Sequence, residues 1–417
     1  MKRNPKQYLL IALSAMFLST FHKDSFADDL PMATPDDVGM SAENLKRVDE
    51  IVNGLIEKKR IAGASVMVAR KGKVCFFETY GMADVERDKA MSKESIFRIY
   101  SMSKVITTAA VMQLVEQGKV SPQDPIGKYI PALREMTVFT EEGIVPAKNS
   151  ITVAHLMTHT SGLVYNSDGE YGELIKSADA LNRENTLAEM VAKMGETPLK
   201  FEPGTDWAYG TSIDVLGRLI EVVSKQPFDE YLQQNIFEPL EMYDTAFHVP
   251  EGKIDRFAAN YNPGGNLIDD PRTSRYLRKP NLNSGGGGLV GTISDYMRFL
   301  VALRNGGDLN GKRILKPETI ELMQQNHVSK DAGWIKFGSQ VRDGIGYGYG
   351  FAVCVKPSRF DPARKVGDYG WGGAASTHYW SSPKDDLIVV TMEQTMPYSF
   401  LLENELKPVI TDAKIEE

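Results

Sequence analysis

Apolar positions along the chain recur with two different periods, and the change of period divides the sequence. After Ser41 they recur every three or four residues to about residue 58, which predicts a helix. Two β-rich runs follow, GASVMVAR and KVCFFETYG, and Lys71-Gly72 between them is typical of a hairpin. Helical periodicity returns from Ser101 to Gly118, and in 151–159, 187–195, 212–225, 228–234, 294–305 and 317–326. The strand-like runs YGYGFAVCV, ASTHYWSS and LIVVTMEQ precede a closing helix over about 398–413.

Strands are therefore predicted at both ends of the sequence and helices in the middle. Strands this far apart bury their apolar faces by meeting in one sheet. We expect an α/β (α+β) fold, in which N- and C-terminal helices flank an antiparallel sheet and an all-helical domain is inserted. The sheet domain would comprise residues 28–100 and 300–417, and the mainly helical domain residues 101–299. A functional site is expected at the seam between them, where ligand clefts tend to lie.

The N-terminus has the pattern of a secretory signal peptide. Three Lys/Arg among the first six residues precede the apolar run YLLIALSAMFLSTF, and Ser25-Phe26-Ala27 places small residues at a cleavage site. The run is shorter than the roughly 20 residues that a helix needs to cross a bilayer. We therefore expect residues 1–27 to be removed after Ala27. The mature chain would be periplasmic or secreted, without a stable membrane span.

Composition excludes several classes of protein. With 42% hydrophobic and 25% charged residues, the chain is typical of soluble globular proteins rather than disordered or polytopic membrane proteins. A net charge of -7 and scattered Lys and Arg argue against a nucleic-acid partner. No P-loop, HExxH or zinc-type Cys/His spacing occurs, so we predict no cofactor and no metal. Cys75 and Cys354 lie in strand-like segments and are expected to be buried free thiols.

Ser101 and Lys104 form an SxxK at the start of a predicted helix. Residues i and i+3 share a helix face, so the amine can reach the hydroxyl and take its proton. The N–H groups at a helix N-terminus also stabilise a developing oxyanion. The same spacing at Ser381 and Lys384 follows a strand and includes a proline, which indicates a solvated turn. Spacing alone fits equally a helix-capping serine followed by a surface lysine.

The segment FRIYSMSKVITTAAVMQLVEQGKV resembles the SxxK region of the serine β-lactamase and penicillin-binding-protein superfamily. The resemblance is greatest to its class C-related branch and to the family VIII carboxylesterases. Further segments resemble this group in the same order: ITVAHLMTHTSGL, PGTDWAYGTSIDVLGRLIEVVS, GGGGLVGTISDYMRFL and WGGAASTHYW. Together they cover most of residues 40–395. The resemblance implies a β-lactamase/transpeptidase-like fold.

The resemblance also implies roles for individual residues. Ser101 matches the acylated nucleophile of the superfamily, and Lys104 matches the paired base that activates it. Tyr209 matches the tyrosine of the second motif, which passes the proton to the leaving group. The backbone N–H groups of Ser101 and Ala374 would form the oxyanion hole. Whether Lys104 or Tyr209 is the base during acylation stays open.

The third motif of the family is matched by Trp371, Gly372 and Gly373, whose glycines would let a substrate approach closely. Trp371 stands where lactamases have a lysine that holds the substrate carboxylate, and its apolar wall suits a neutral ester. Thr211 replaces the asparagine of the second motif. These four residues are expected to bind substrate. Lys365 is a nearby candidate to replace the missing cation.

The expected function is that of a secreted serine hydrolase, a carboxylesterase that cleaves short-chain esters through an acyl-enzyme. The alternatives are a class C-like β-lactamase or D,D-peptidase, and a penicillin-recognising protein without turnover. Amide hydrolysis and acyl transfer also stay open, because an acyl-enzyme does not dictate which nucleophile resolves it.

No GxSxG nucleophile elbow, the motif of α/β-hydrolases, occurs in the sequence, and His155 and His159 are interpreted as structural. The partner is a small-molecule ester or β-lactam-like substrate, and the run Gly285–Gly288 is predicted to be a tight loop near the cleft.

Overall fold

The structure is a computed structural model that describes residues 30–415. The predicted signal peptide lies outside the described residues and stays a prediction. Within them the α-helices are α1 Ala42–Leu45, α2 Arg47–Glu57, α3 Ser103–Glu116, α4 Val153–Thr158, α5 Gly169–Ala178, α6 Leu187–Gly195, α7 Ser212–Ser224, α8 Phe228–Leu232, α9 Ile293–Arg304, α10 Pro317–Gln324 and α11 Leu401–Asp412. The helix predicted after Ser41 is therefore split at Lys46.

One large sheet organises the fold. Its strands are β1 Gly63–Arg70, β2 Lys73–Asp84, β3 Lys89–Ala90, β4 Ile345–Tyr347, β5 Ala352–Cys354, β6 Tyr369–Gly373, β7 Thr377–Ser382 and β8 Leu387–Glu393. They lie in the order β4-β5-β6-β7-β8-β1-β2-β3, and all neighbours are antiparallel. The two ends of the chain meet where Ala64 pairs with Glu393. The predicted antiparallel sheet is confirmed.

Five two-stranded ribbons lie outside this sheet in the described part of the chain. They join Phe97–Arg98 with Val290–Gly291, Thr137–Thr140 with Gly143–Pro146, Asn260–Tyr261 with Leu267–Asp269, Asp308–Leu309 with Lys312–Arg313, and Lys336–Phe337 with Gln340–Val341. The first of them ties the segment before Ser101 to the segment after the Gly285–Gly288 run, because Arg98 pairs with Val290. It therefore helps to place two parts of the candidate site beside each other.

Both faces of the large sheet are covered by helices, because successive side chains point to opposite faces and β1 and β8 are buried along nearly their whole length. On one face, Val66 and Val389 belong to a buried cluster with residues of α1, α2 and α11. On the other face, Met67 and Val390 belong to a larger cluster that includes α3, α7 and α9. The predicted flanking by N- and C-terminal helices is confirmed. Cys75 and Cys354 are buried free thiols, as predicted.

The prediction of one strand over YGYGFAVCV is wrong. The chain reverses within this run, so that β4 and β5 become antiparallel neighbours, with Tyr347 opposite Ala352. Gly350 makes the reversal possible: its φ is 98°, and a Cβ there would lie 2.2 Å from Oγ1 of Thr108. A pattern of hydrophobic positions cannot reveal such a close approach between a backbone and a side chain.

In residues 30–415 we find no helix that is both long enough and apolar enough to span a membrane.

Candidate active site

Ser101 lies in a 3₁₀ turn, Tyr100–Met102, that leads directly into α3. Tyr100 has a φ of 40°, a left-handed conformation that bulky residues rarely adopt. Strain of this kind persists only where surrounding contacts hold it, and it clusters at functional sites. One such contact is the hydrogen bond that Oγ of Ser103 donates to the Tyr100 carbonyl at 2.6 Å. The turn thereby presents Ser101 at the start of α3.

Lys104 is completely buried because α3 is buried on nearly every side. Its Nζ donates to Oγ of Ser101 at 3.2 Å, to the hydroxyl of Tyr165 at 3.2 Å and to the carbonyl oxygen of Gly286 at 2.5 Å. An ammonium group has three N–H donors, so each finds an acceptor here. These contacts aim the amine at the serine. A surface lysine, the alternative considered from spacing alone, is excluded.

Tyr209 approaches the same serine from a separate segment. Its hydroxyl donates to Oγ of Ser101 at 2.6 Å and accepts from Nε1 of Trp371 at 3.4 Å. Nζ of Lys104 lies 4.6 Å from the centroid of the Tyr209 ring. The structure thus brings together the first-motif serine and lysine, the second-motif tyrosine and the third-motif tryptophan.

A buried carboxylate behind Lys104 was not predicted from the sequence. Asp214, on α7, accepts from Oγ of Ser284 at 2.5 Å, from the N–H of Gly286 at 3.1 Å and from the hydroxyl of Tyr165 at 3.4 Å. Burial raises the pKa of its carboxyl, and the positive charge of Lys104 opposes that rise. Asp214 therefore fixes the positions of Gly286 and Tyr165, the two residues that, besides Ser101, accept hydrogen bonds from Lys104. No residue of the Gly285–Gly288 run lines the Ser101 cavity, but the Gly286 carbonyl connects the run to Lys104.

The histidines of HLMTHTSGL have structural contacts, as the sequence interpretation proposed. His155 forms a capping box with Thr152 at the start of α4. Nδ1 of His159 accepts from the N–H of Gly210 at 3.4 Å, and its ring centroid lies 4.9 Å from that of Tyr209. Burial lowers the pKa of His159 well below its usual value, and Lys104 adds to the effect. A neutral His159 therefore packs against Tyr209 and supports its position.

Ser101 opens into a cavity of about 400 Å³ with mainly aromatic walls. Tyr209, Trp371, Gly372 and Ala374, all of them predicted site residues, line it. Its further walls are Phe337, Tyr398 and Phe400, and its charged lining residues are Arg342, Arg364 and Glu403. Among the described residues, no group of three or more His, Cys, Asp or Glu side chains is placed to hold a metal ion.

Two predicted substrate-binding residues and the predicted substitute cation lie elsewhere. Thr211 precedes α7 and lines a neighbouring cavity of about 490 Å³. Gly373 ends β6 without lining the Ser101 cavity. Lys365 pairs with Asp385 at 2.7 Å, outside the cavity, so the expectation that it replaces the missing lysine is wrong. The charged groups inside the cavity come from segments that the motifs do not include.

Gly373 brings the third-motif strand against the turn that carries Ser101. A Cβ at this position would lie 2.3 Å from the carbonyl oxygen of Ile99 and 2.4 Å from Oγ1 of Thr377. Real Cβ atoms do not approach so closely, so the glycine sets the spacing between the two halves of the site. Gly373 therefore contributes to the site by allowing β6 to pack close to the Ser101 turn, and this contribution requires no contact between Gly373 and a substrate.

We expect Gly373→Ala to separate β6 from the Ser101 turn. Overpacking of this kind costs about 1–3 kcal/mol, so thermal denaturation should show a lower Tm together with reduced turnover. Gly252→Ala is the matched control, because nothing lies within 4 Å of a Cβ there. The control should change stability by no more than about 0.5 kcal/mol. A Gly373→Ala protein with unchanged Tm and turnover would show that the spacing tolerates a methyl group.

The fold and this cluster define a class of proteins with a β-lactamase/transpeptidase-like architecture. The Beta-lactamase family model matches residues 48–406, and the chain belongs to the beta-lactamase family. The predicted resemblance is confirmed at that level.

The similar proteins are named for different activities. The chain is 29% identical over 358 residues to esterase EstB of Burkholderia gladioli, covering 80% of this chain and 86% of that protein. The structure of EstCE1, described as a hydrolase with promiscuous acyltransferase activity, is similar with a TM-score of 0.76 and 27% identity, over 89% of this chain and 98% of that chain. Simvastatin synthase (LovD) from Aspergillus terreus shares the fold, with a TM-score of 0.73 and 23% identity over 89% of this chain and 98% of that chain.

Proposed function

We propose that the protein is a serine carboxylesterase that cleaves short-chain esters through an acyl-enzyme on Ser101. The observation that carries the proposal is the pair of contacts at Oγ of Ser101, 2.6 Å to the Tyr209 hydroxyl and 3.2 Å to Nζ of Lys104. A serine is a weak nucleophile until a neighbouring base takes its proton, and here two groups lie within reach of that proton.

The reaction follows from these positions. Oγ of Ser101 attacks the ester carbonyl, and its proton passes to the Lys104–Tyr209 pair, which reacts in the form with one fewer proton, either with Lys104 as a free amine or with Tyr209 as a phenolate. Ser101 and Ala374 both line the cavity, and in this proposal their backbone N–H groups donate to the oxyanion. The bond between the acyl carbon and the alcohol oxygen then breaks, and the pair returns the proton to the leaving alcohol. Water attacks the acyl-enzyme in a second cycle, in which Oγ leaves and recovers a proton, and the acid is released.

Support for an ester substrate comes from the walls of the cavity and from the relatives. Trp371 occupies the position of the third-motif lysine, and its ring centroid lies 5.5 Å from that of Tyr209. Aromatic walls favour apolar acyl and alcohol groups. The name of EstB and the description of EstCE1 support hydrolysis of esters.

We expect the purified protein to hydrolyse p-nitrophenyl acetate and butyrate faster than nitrocefin, measured as kcat/KM in parallel assays. On the third-motif strand Trp371 stands in place of the lysine that holds the β-lactam carboxylate beside the serine, whereas acetyl and butyryl esters need no cation on that strand. Nitrocefin turnover equal to or above ester turnover would contradict the carboxylesterase proposal and favour the β-lactamase alternative. A single stoichiometric burst of nitrocefin followed by no turnover would favour the penicillin-recognising alternative.

Acyl transfer is a second candidate function, because EstCE1 is described as having promiscuous acyltransferase activity. An alcohol that enters the cavity in place of water would resolve the same acyl-enzyme to a new ester. The ester assay with added 1-propanol tests this candidate. Propyl butyrate formed in proportion to the alcohol would support acyl transfer, and butyrate alone would support hydrolysis.

A further inference from the structure

The cavity at Ser101 contains a guanidinium group that no step of the proposed reaction uses. Arg342 lies shortly before β4 and lines this cavity. Its guanidinium carbon is 4.2 Å from the ring centroid of Phe337, 4.3 Å from that of Phe360 and 5.1 Å from that of Phe400. Aromatic faces hold a guanidinium and shield it from water, while its N–H groups stay available in its own plane.

In residues 30–415 no carboxylate forms a direct ion pair with Arg342, although the charges of Glu403 and Asp361 act on its guanidinium from a greater distance. Among residues 30–415, none accepts a hydrogen bond from its guanidinium or forms an ion pair with it, and its Nε is buried without a partner. Burial lowers the pKa of Arg342 to about 10, so the group is charged at neutral pH. Because a buried donor without an acceptor costs free energy, an acceptor that enters the cavity would be stabilising.

The other charges around this end of the cavity offset one another. Nε of Arg364 lies 3.2 Å from Oδ2 of Asp361, and Nζ of Lys407 lies 2.7 Å from the same oxygen. Nζ of Lys407 also lies 2.6 Å from Oε1 of Glu403. Burial opposes ionisation of Glu403, but Lys407, His378 and Arg364 together outweigh it and lower the pKa of Glu403 to about 2. Arg364 and Lys407 thus form the direct ion pairs with these two carboxylates, and Arg342 is left without one.

We propose that this cavity selects esters that carry a carboxylate and that Arg342 binds that carboxylate. The inference rests on the proposed esterase function and deepens it. The planar fork of an arginine matches the two oxygens of a carboxylate. Arg342 belongs to the segment before β4, not to the third-motif strand, so it holds the anion from a different wall than the lysine of the lactamases. The proposed substrate differs from the neutral ester that Trp371 alone suggests.

Two matched pairs of esters test the proposal. On the acyl side, 4-nitrophenyl hydrogen glutarate is compared with 4-nitrophenyl pentanoate. On the alcohol side, 4-acetoxybenzoate is compared with 4-acetoxybenzamide. We expect kcat/KM to favour the carboxylated member of at least one pair by about 10- to 100-fold, the range for hydrogen bonds between charged groups. The pair that shows the preference identifies the end of the substrate that faces Arg342. Equal rates within both pairs, or a preference for the neutral esters, would overturn the proposal.

Variants assign the preference to Arg342. In Arg342→Met the ratio of kcat/KM within the preferred pair should fall by about 10-fold or more, mainly through KM of the carboxylated ester. Arg342→Lys keeps the charge and should recover part of the ratio. Arg359→Met removes an equal charge from an exposed position outside the cavity and should leave the ratio unchanged. A ratio that falls equally in the Arg342 and Arg359 variants would show only a general effect of net charge and would overturn the assignment.

A binding measurement separates failure of this proposal from failure of the esterase function. If none of the four esters is turned over, the esterase function fails, and calorimetry on the full protein still tests Arg342. We then expect 4-phenylbutyrate to bind more than about 10-fold tighter than 4-phenylbutanamide, and the difference to shrink in Arg342→Met. Equal affinities of the two probes would overturn carboxylate recognition. Ester turnover without carboxylate preference would overturn this inference alone.

Discussion

Replacement of Ser101 by alanine should lower kcat for p-nitrophenyl butyrate by about 10⁴-fold or more while the fold stays intact. The hydroxyl of Ser101 is the atom on which Tyr209 and Lys104 converge. Without it the remaining groups have no nucleophile to activate, and only binding and oxyanion stabilisation persist. Rates measured with the purified variant, alongside its circular dichroism spectrum and Tm, test this expectation.

A covalent probe supplies the control for Ser101. A fluorophosphonate loses fluoride when a serine oxygen attacks its phosphorus, so mass spectrometry should find the adduct on the peptide that contains Ser101. The alanine variant should take up no label at that peptide. A correctly folded Ser101→Ala protein that keeps its ester turnover would contradict the mechanism, and so would a label found only on another serine.

Replacement of Lys104 by methionine should lower kcat by about 10²–10⁴-fold, the range for loss of a general acid or base. Methionine has nearly the length of lysine and keeps the buried volume, but it removes the amine that lies 3.2 Å from Oγ of Ser101. The loss should appear in kcat more than in KM, because Lys104 lies behind the serine and does not line the cavity. Steady-state kinetics with p-nitrophenyl butyrate measure both constants.

The control for Lys104→Met must separate loss of catalysis from loss of stability, because the carboxyl of Asp214 stays buried in the variant. Lys104→Met removes the positive charge that favours the ionised carboxyl of buried Asp214, so the variant should be less stable than the wild type. The double variant Lys104→Met/Asp214→Asn removes both charges and should recover much of the Tm. Its turnover should stay low. Turnover that returns together with stability would show that Lys104 acts only as a structural residue.

Local patterns predicted much of the fold. The helix over 187–195 has the predicted bounds, Leu187–Gly195, because its amphipathic face and the Thr186 capping box are encoded within a few residues. The hairpin of β1 and β2 follows in the same way from two β-rich runs and a Lys-Gly turn. The reversal at Gly350 and the helix Gly169–Ala178 were missed. Gly350 is required by a contact with α3, and α5 contains glycines that weaken the helical pattern.

The candidate site was predictable to the extent that its geometry is local. Ser101 and Lys104 lie one helical turn apart, so spacing alone brings them together. Tyr209 was identified only through the family resemblance, because nothing near it in sequence points to Ser101. Tyr165 and Asp214 depend on contacts between distant segments. Arg342 lies among polar residues that are typical of an exposed turn, and only the folded chain shows the aromatic rings around it.

The pairing of Ala64 with Glu393 has a consequence for folding order. Most of the chain lies between these two residues. Bringing them together costs conformational entropy before the stabilising contacts of the sheet have formed, and this cost slows folding. Strand β6, which supplies the wall opposite Ser101, pairs with strands that are themselves near the C-terminus. The nucleophile is therefore synthesised long before its pocket can close. An emerging chain would carry Ser101 and Lys104 without the rest of the cavity, so enzymatic activity can arise only after the last strands have been made.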